Sequence, residues 1–231
     1  LSDAEWERLT AHALTRIAGR VRVIVGTGSN NLRVTLRRAR FAADHGADAQ
    51  LCVTPYYNKT TQAGLYAYFT RIADESALPV MLYNVPARTG LNMLPETCER
   101  LAHHPGMIGV KEAADDLGQL ARLTALTPLP VYCGSDALRL GARGVISVLS
   151  NLCPEAVRIL CQSQQKGCEQ SAAAQQRHLA ALTDALFCEV SPSPVKYALS
   201  LLGLCRAEVR LPLVPRERLQ SLLARHGLLP A

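Results

Sequence analysis

Residues 107–113 read Met-Ile-Gly-Val-Lys-Glu-Ala, an apolar run that ends in a lysine. Pro105 precedes the run and the polar pair Asp115-Asp116 follows it, which predicts a short buried strand. Lysine is almost never buried without a partner, so Lys111 is unusual at the end of such a strand. In a dry pocket its ammonium group loses hydration, which lowers its pKa, and the neutral amine can attack a ketone to form a Schiff base. The simpler alternative is that Lys111 lies beyond the strand and points into water.

Similar apolar runs recur on both sides of this one and alternate with amphipathic segments. The predicted strands are 21–25, 49–53, 79–83, 107–111, 131–133 and 144–148, and the predicted helices are 3–18, 31–45, 62–76, 95–103 and 116–126. Ser2 is placed to cap the first helix, with Glu5 as its capping-box partner. Residues 155–228 are helical by pattern, with an interruption at 191–194. The alternation predicts a parallel sheet with helical crossovers, either an open doubly wound sheet or a TIM barrel, which needs eight strands.

The composition narrows the class of protein. The chain has 231 residues, enough for one barrel or two small domains, and its 48% hydrophobic content supports a large core. It opens without an initiator methionine or a signal peptide, so we expect a piece of a longer polypeptide, and no apolar run reaches the length of a membrane span. The net charge of +6 is scattered over predicted helical faces, which favours a solvated surface over a nucleic-acid site. Eight cysteines without a Cys-x-x-Cys motif, among them Cys52, Cys133 and Cys205 in apolar segments, predict reduced core thiols in a cytoplasmic protein.

Polar and reactive side chains follow the predicted strands. Tyr56 and Tyr57 come after strand 49–53, Tyr83 and Arg88 lie at and after the end of strand 79–83, and Lys111 closes the next strand. Each alone has an ordinary alternative, as a packed aromatic residue or a surface charge. Because the carboxyl ends of parallel strands face one active site, their joint placement favours a catalytic site.

Four runs of this chain resemble sequences of the dihydrodipicolinate synthase family, in the family's order. They are Val53-Thr54-Pro55-Tyr56-Tyr57-Asn58, Tyr83-Asn84-Val85-Pro86-Ala87-Arg88-Thr89-Gly90, Ile108-Gly109-Val110-Lys111-Glu112-Ala113 and Gly144-Val145-Ile146-Ser147-Val148. Pro194-Val195-Lys196 resembles the family too, and the likeness extends from near residue 1 to about residue 228. The resemblance implies a (β/α)8 TIM barrel over residues 1–154 and a C-terminal helical region over residues 155–231.

The resemblance also implies an enzyme of the class I aldolase type. Members of the family condense pyruvate with L-aspartate 4-semialdehyde to 4-hydroxy-tetrahydrodipicolinate, on the path to lysine and diaminopimelate. They act through a covalent lysine Schiff base without a metal or organic cofactor, and they assemble as homo-oligomers, often a dimer of dimers. We therefore expect a cytoplasmic enzyme whose partners are these two substrates and further copies of itself, with no nucleic acid and no membrane.

The resemblance assigns a role to each of several site residues. Lys111 corresponds to the lysine that forms the pyruvate imine, and Tyr83 to the tyrosine beside it that orients pyruvate and helps to move protons. Tyr57 corresponds to the relay tyrosine that the family supplies across a dimer interface, and Arg88 to the arginine that holds the semialdehyde carboxylate. Two further positions correspond to backbone that lines the pocket, Gly134 and Ile146.

The chemistry of these residue types agrees with the roles. Imine formation needs repeated proton transfer, and tyrosine, with a free pKa of about 10, can supply it near neutral pH only within a hydrogen-bonded chain. A guanidinium group presents a planar fork that suits a carboxylate, which an ammonium group does not match. We therefore expect the amine of Lys111 to be dry and within one hydrogen-bonded step of Tyr83.

The chain departs from the family pattern in its strand count. In the family, two strands precede the position of Leu1, and the turn after them supplies the pyruvate-carboxylate site and a third member of the proton relay. Between Gly134 and Gly144, nine residues must hold a loop, a helix and a second loop, whereas a crossover normally needs about a dozen. Two explanations remain, unrecorded residues or a true deletion. We favour the first, because a six-stranded open barrel would expose two strand edges.

A third departure concerns regulation. Many members of the family bind lysine at a cleft between subunits, and Asn30 and Tyr56 correspond to residues of that cleft. Trp6 and Val34 stand where the family often has a histidine and an acidic residue. Loss of the carboxylate removes the partner of the ammonium group of lysine, so we expect weak or absent feedback inhibition.

Two alternatives to the synthase stay open. Sister aldolases and lyases that act on other 2-oxo acids share the lysine and the strand-end tyrosine, but the run Ala87-Arg88-Thr89-Gly90 resembles the synthases. A non-catalytic paralogue is favoured by the missing strands, whereas the retention of Lys111, Tyr83, Tyr57 and Arg88 favours an enzyme.

Overall fold

The computed structural model describes residues 1–134 and 141–214. These residues form two compact units, one of residues 1–134 with residues 141–142 and one of residues 143–214. Most of the short segment between Gly134 and Gly144 lies outside the described residues, and so does the part of the predicted helical tail beyond residue 214.

The first unit alternates strands and helices along its whole length. Its elements are α1 Asp3–Ile17, β1 Ile24–Gly26, α2 Leu32–Asp44, β2 Ala49–Val53, α3 Gln62–Glu75, β3 Val80–Asn84, α4 Pro86–Thr89, α5 Pro95–Ala102, β4 Met107–Glu112, α6 Leu117–Leu126 and β5 Val131–Cys133. Strands β1 to β5 neighbour one another in chain order, and each pairs with the next in parallel. The predicted parallel sheet with helical crossovers is therefore confirmed. The short helix α4 was not predicted.

Capping residues set the start of several helices. Ser2 accepts a hydrogen bond from the Glu5 backbone N–H at 3.2 Å, and the Glu5 carboxylate accepts one from the Ser2 backbone N–H at 2.7 Å. This reciprocal pair is the predicted capping box of α1. The side chains of Thr61 and Asp116 cap α3 and α6 in the same way, since each accepts from a backbone N–H of the first turn.

Strand β1 is shorter than the prediction of residues 21–25. Pairing begins only where Ile24 lies opposite Ala49, and Val21 is exposed. Ahead of the strand, the backbone N–H of Val23 donates to the Asp48 carboxylate at 2.8 Å. The β-branched composition of 21–25 predicted an extended segment, but paired residues begin at Ile24, and the preceding Val23 is held by the Asp48 carboxylate and by backbone hydrogen bonds from Asp48 and Ala49 to its carbonyl oxygen.

A register shift between β3 and β4 decides which residues meet at the strand ends. Val80 pairs with Met107, but the next residue, Met81, pairs with Gly109, so β4 carries one extra residue. Gly109 fits here because a Cβ atom would lie 3.1 Å from the Pro130 carbonyl oxygen. The shift places Lys111, rather than Val110, opposite Tyr83.

The first unit has an apolar core between the sheet and its helices. The largest side chains that are fully buried in it are Phe69, Leu65, Ile72, Leu82, Met93, Leu101 and Leu123. Residues of α3 recur at a helical period among them, at positions 65, 69 and 72, so one face of that helix covers the sheet. This packing fixes the sheet whose strand ends carry the candidate site.

The second unit is mainly helical. Its elements are β6 Gly144–Val145, a 3-10 turn Leu149–Asn151, α7 Pro154–Gln165, α8 Glu169–Leu186 and α9 Ser193–Leu201. Its core is built from Leu149, Leu152, Val157, Leu179, Leu182, Leu186, Val195 and Ala198. The prediction of a strand at 144–148 was too long, because the strand ends at Val145 and Val148 already has the right-handed helical backbone that leads into the 3-10 turn. Among the described residues of the predicted helical tail, α9 ends at Leu201 and residues 202–214 are not helical.

The cysteines divide between core and surface. Cys52 and Cys133 are buried, in agreement with the prediction of core positions for them. Cys168, Cys188 and Cys205 are free but exposed, so the prediction of a core position for Cys205 was wrong. Burial raises the pKa of the Cys52 thiol to about 11, which keeps it protonated and unreactive.

The length and the hydropathy of the helices decide whether any of them could span a bilayer. Across residues 1–134 and 141–214, none of them combines the length and the apolar character needed to cross a membrane.

Candidate active site

Lys111 and Tyr83 form the centre of the candidate site. They lie next to the ends of the neighbouring strands β4 and β3 and are paired in register. The Lys111 Nζ atom lies 4.3 Å from the centroid of the Tyr83 ring, so the amine packs against the face of the phenol. The contact is with the ring face, whereas the sequence predicted a hydrogen-bonded step between the two groups. We refer to Lys111 and Tyr83 below as the strand-end pair.

Burial shifts the pKa values of both members of the pair. It lowers the pKa of the Lys111 amine, because the ammonium form loses hydration in the half-buried site. Burial also raises the pKa of the Tyr83 hydroxyl, while the positive charge of Arg88 acts in the opposite direction. The lysine is thereby biased toward the neutral nucleophile and the tyrosine toward the protonated donor, and this combination suits attack on a carbonyl group.

Gly134 leaves room for the lysine side chain. It follows β5, and its backbone N–H donates to the Glu112 carbonyl oxygen at 2.8 Å. A Cβ atom at this position would lie 2.5 Å from the Cβ atom of Ala113 and 3.4 Å from Cε of Lys111. A larger residue would therefore collide with the turn after β4 and press on the Cε atom that carries the Lys111 amine.

Arg88 is presented by the short helix α4, directly after β3. Pro86 occupies the first turn and Gly90 ends the helix in the left-handed region, with φ of 67°. The Thr89 hydroxyl donates to the Leu91 carbonyl oxygen at 2.9 Å and accepts from the buried Thr54 hydroxyl at 3.3 Å. The exposed Arg88 thus stands on a turn that is tied to the end of β2. The two threonines are supporting residues that the sequence analysis did not identify.

Tyr57 lies in the segment of residues 54–60 that follows β2, which we call the tyrosine loop. Its side chain is 92% exposed and is therefore not packed into the site of its own chain. Its φ of 70° is in the left-handed region, which costs a residue with a side chain roughly 1 kcal/mol or more. The Tyr57 ring is therefore held out into solvent by a strained backbone.

The predicted lysine-cleft residues meet on the surface. The Asn30 side chain donates to the Tyr56 carbonyl oxygen at 3.3 Å, which links the turn after β1 to the tyrosine loop. Trp6 donates from Nε1 to the Gly26 carbonyl oxygen at 3.3 Å and lies beneath the guanidinium of Arg38. Val34 lines a surface pocket with Asn31, Arg33 and Arg37.

Ile146 belongs to the second unit. It follows β6 directly and is half-buried. Strand β5 contributes Tyr132, which pairs in register with Lys111 and was not identified from the sequence. Only the alignment of β4 with β5 reveals it, because Tyr132 lies within an otherwise apolar strand.

A buried polar cluster adjoins the strand-end pair along the chain. Asn84 follows Tyr83, Glu112 follows Lys111, and the two are paired in register. Both side chains are buried, and Asn84 Nδ2 lies 3.1 Å from each carboxylate oxygen of Glu112. Sequence reasoning missed this cluster, although a carboxylate within a buried strand is itself a signal.

The side chains that most often bind metal ions are spread over the structure. Within the described parts of the chain, His, Cys, Asp and Glu side chains do not form any group of three or more placed to hold a metal ion.

Comparison with known proteins identifies the family. The model of the Dihydrodipicolinate synthetase family matches residues 1–225. The 4-hydroxy-tetrahydrodipicolinate synthase of Exiguobacterium sp. is 46% identical over 222 residues, which cover 93% of this chain and 76% of the relative. That of Thermomicrobium roseum is 45% identical over an alignment of 238 positions, which covers 97% of this chain and 78% of the relative.

A solved structure shows the same similarity in three dimensions. The chloride-inhibited dihydrodipicolinate synthase of Acinetobacter baumannii, complexed with pyruvate, superposes with a TM-score of 0.95 at 38% identity and covers 99% of this chain and 83% of that chain. The similarity shows that this chain has the TIM-barrel fold class of these synthases. With a lysine and a tyrosine paired at the ends of its central strands, the chain belongs to the dihydrodipicolinate synthetase family.

Proposed function

We propose that this protein is a lyase that condenses pyruvate with L-aspartate 4-semialdehyde to 4-hydroxy-tetrahydrodipicolinate, in the biosynthesis of lysine and diaminopimelate. The curated relatives described above carry the name of this activity. The observation that carries the proposal is the placement of Lys111, with its half-buried Nζ 4.3 Å from the Tyr83 ring centroid and its pKa lowered by burial. This environment favours the neutral amine, which is the form that the reaction needs.

Lys111 is the nucleophile in the proposed mechanism. Its neutral amine adds to the C2 carbonyl of pyruvate, and the carbonyl oxygen leaves as water, which gives an imine. Loss of a proton from the methyl carbon then gives an enamine, whose carbon attacks the aldehyde of the second substrate. The protonated imine accepts the electron pair of the broken C–H bond, so the lysine itself supplies the electron sink and no organic cofactor or metal enters the scheme.

Tyr83 and Tyr57 supply the proposed proton path. The raised pKa of Tyr83 keeps its hydroxyl protonated, so it can donate to the oxygen that leaves as water. Tyr57 points into solvent in its own chain, which leaves its phenol available to the site of a second copy. We therefore propose a homo-oligomer, a dimer of dimers, in which each Tyr57 completes the relay of a partner.

Arg88 and the pocket backbone hold the substrates in this proposal. The exposed guanidinium group of Arg88, on the turn after β3, would donate two parallel hydrogen bonds to the carboxylate of the semialdehyde. Gly134 keeps the space beside the Lys111 stem open, and its backbone lines the pocket. The backbone of Ile146 is proposed to line it as well.

The strand count supports a specific placement of the chain within the barrel. The described ranges contain six strands, whereas a TIM barrel has eight, and we propose that these six are the third to eighth, within a barrel region of residues 1–154 that precedes a helical region of residues 155–231. The Thermomicrobium roseum alignment spans 238 positions against 231 residues here, so that relative has residues that this chain lacks. We assign part of this difference to residues 135–143, and an intact mass above 25.0 kDa would identify it as unrecorded sequence.

Borohydride trapping with pyruvate tests the proposed function. Reduction fixes the imine as a stable adduct, and peptide mapping after intact-mass analysis should place one reduced pyruvyl group on Lys111. The Lys111→Ala variant should give no adduct, whereas Lys166→Ala, which removes an exposed lysine, should label like the wild type. Absence of an adduct in the wild type would indicate a non-catalytic paralogue. An adduct without turnover of the semialdehyde would indicate a sister aldolase.

A further inference from the structure

A fully hydrogen-bonded carboxylate lies next to the strand-end pair, within the first unit. Glu112 is only 3% exposed, and its oxygens accept from the Ala114 backbone N–H at 2.7 Å, from Asn84 Nδ2 at 3.1 Å and from Gln119 Nε2 at 3.2 Å. Burial raises its pKa, and the donated hydrogen bonds act in the opposite direction. A buried acid of this kind costs free energy unless it is satisfied, so its presence needs a reason.

The partners of Glu112 bond to one another as well. Asn84 Nδ2 donates to Asn92 Oδ1 at 2.8 Å, and its Oδ1 accepts from the Met93 backbone N–H at 2.9 Å. Asn92 and Gln119 exchange two side-chain hydrogen bonds, at 2.7 and 3.0 Å. The cluster of Asn84, Asn92, Glu112 and Gln119, which we call the amide cluster, therefore connects the ends of β3 and β4 to the segment before α5 and to α6.

The position of the amide cluster relates it to the chemistry. Consecutive residues of a strand point to opposite faces of the sheet, so Asn84 and Glu112 lie across the sheet from Tyr83 and Lys111. Asn84 pairs with Glu112 in the same way that Tyr83 pairs with Lys111, one residue earlier on both strands. Each carboxylate–amide contact on one face therefore fixes the separation of the lysine and the tyrosine on the other.

We propose that Glu112 is a positioning residue for imine formation, which acts through the amide cluster to hold Lys111 and Tyr83 in contact. The proposal rests on the proposed function, in which Lys111 carries the imine. Lysine and tyrosine side chains are long, and the register shift at Met81 leaves the β3–β4 pair irregular just ahead of them. A clamp at the last residue of both strands fixes the register where the ladder ends.

The chemistry of the cluster explains why this position holds an acid. All three partners of the Glu112 side chain are N–H donors, and a carboxylate accepts on both oxygens. A glutamine has the same shape but one acceptor oxygen, so its amino group would face a donor across the contact. Hydrogen bonds to an ionised acceptor are also stronger than those between neutral groups.

The test measures imine formation in Glu112→Gln against a matched control. Timed borohydride quenching with saturating pyruvate gives the rate of imine formation per folded molecule, and steady-state assays give kcat and the KM for the semialdehyde. We expect the rate and kcat to fall roughly tenfold to a hundredfold, the range for a displacement on the order of 1 Å at a reacting group. The semialdehyde KM should stay near its wild-type value, because the Arg88 turn is tied to Thr54.

Gln50→Glu is the control. Gln50 is fully buried on β2 and bonds Thr27, Ser76 and the Leu78 carbonyl oxygen, so this exchange also disturbs a buried polar cluster of the same sheet. It should lower the melting temperature but leave the rate of imine formation per folded molecule unchanged. Equal loss of rate in both variants would reduce the amide cluster to a general stability role and overturn the proposal.

Gln119→Met covers the case in which Glu112→Gln does not fold. It removes one donor to Glu112 and keeps the carboxylate, so a smaller loss of rate in the same direction is expected. An unchanged rate of imine formation in whichever of Glu112→Gln and Gln119→Met folds would overturn the proposal. Absence of an adduct in the wild type would instead refute the proposed function, so the two failures are distinguishable.

Discussion

The strand-end pair lies on β3 and β4, and the tyrosine loop follows the neighbouring strand β2. The two regions differ in burial and in how their side chains are held. Lys111 and Tyr83 are half-buried, paired by strand register and adjoined by a hydrogen-bonded cluster. Tyr57 is 92% exposed, sits in the left-handed region and is held by surface contacts such as that of Asn30 with the Tyr56 carbonyl oxygen. In the proposed mechanism, one chain thus preorganises the nucleophile Lys111 and presents the relay phenol of Tyr57 outward.

The difference supports the proposal that the site is shared between copies of the chain. A phenol that served its own site would gain from burial, as Tyr83 does, and an unfavourable backbone conformation persists only where the surroundings enforce it. An exposed aromatic ring on such a backbone is typical of a contact with a partner. The comparison therefore leads to predictions that address the two regions separately.

Tyr57→Phe should cause the largest loss of activity with the smallest loss of stability. The exposed hydroxyl makes no packing contribution, so the melting temperature should not change, whereas removal of a proton-transfer group should lower kcat roughly a hundredfold or more. Borohydride trapping of pyruvate measures the imine step, and steady-state assays measure turnover.

Mixing of variants decides whether the phenol acts on a partner. Neither Tyr57→Phe nor Lys111→Ala should be active alone, but oligomers reassembled from both contain sites with an intact Lys111 and a Tyr57 from the other copy. Recovery of activity on mixing is the expected result. A mixture as inactive as its components would place both residues in the site of one chain.

Gly134→Ala should act on both stability and rate in the buried region. The added methyl group meets the Ala113 Cβ atom at 2.5 Å, and such overpacking costs about 1–3 kcal/mol of unfolding free energy. Displacement of the Lys111 stem should also slow imine formation roughly tenfold. Thermal unfolding and timed quenching measure the two effects.

Gly26→Ala is the matched control for this change. Gly26 also ends a strand of the sheet, but a Cβ atom there would have nothing within 4 Å. Its rate of imine formation should equal that of the wild type. If both alanine variants behave alike, close packing around Lys111 does not govern the reaction.

The sequence was sufficient to predict the elements of the first unit, apart from the short helix α4, but not the register between them. The run at 107–113 predicted β4, and the alternation of patterns predicted the parallel sheet. Counting from the strand starts, with Val80 opposite Met107, would pair Lys111 with Asn84 instead of Tyr83. The extra residue in β4 corrects this, and it depends on the fit of Gly109 against Pro130, which is a tertiary contact.

The amide cluster was missed for the same reason. Asn92 and Gln119 are ordinary polar residues in the sequence, and only folding brings them to Glu112. Strand β1 and strand β6 were predicted too long because β-branched residues extend beyond the paired segments in both. Composition reports the tendency of a segment to be extended, whereas pairing depends on its neighbours.

The pH dependence of lysine reactivity should distinguish Lys111 from the exposed Lys166. Because burial lowers the pKa of Lys111, its neutral form should appear at lower pH. The unfolded chain then binds more protons between the folded and the unfolded pKa, so this group should make stability rise with pH through that window. Competitive acylation across a pH series, read by peptide mapping, compares both lysines in one sample. A midpoint for Lys111 at or above that of Lys166 would contradict the dry environment.

Inhibition of the enzyme by lysine should be weak. It is the smallest change in activity that we expect for the exposed region. Trp6 hydrogen-bonds the Gly26 carbonyl oxygen beneath Arg38, and Val34 brings no carboxylate to the pocket that it lines with Arg33 and Arg37. The nearby Asp3 carboxylate already pairs with the guanidinium groups of Arg37 and Arg38, so it is engaged by two cations and micromolar lysine should leave activity unchanged. Val34→Glu adds a carboxylate at this surface and should lower the lysine concentration needed for half-inhibition, with Val34→Gln as its uncharged control. Micromolar inhibition of the wild type would show that the Asn30–Tyr56 contact alone builds a lysine site, and the tyrosine loop would then have a regulatory role besides its catalytic one.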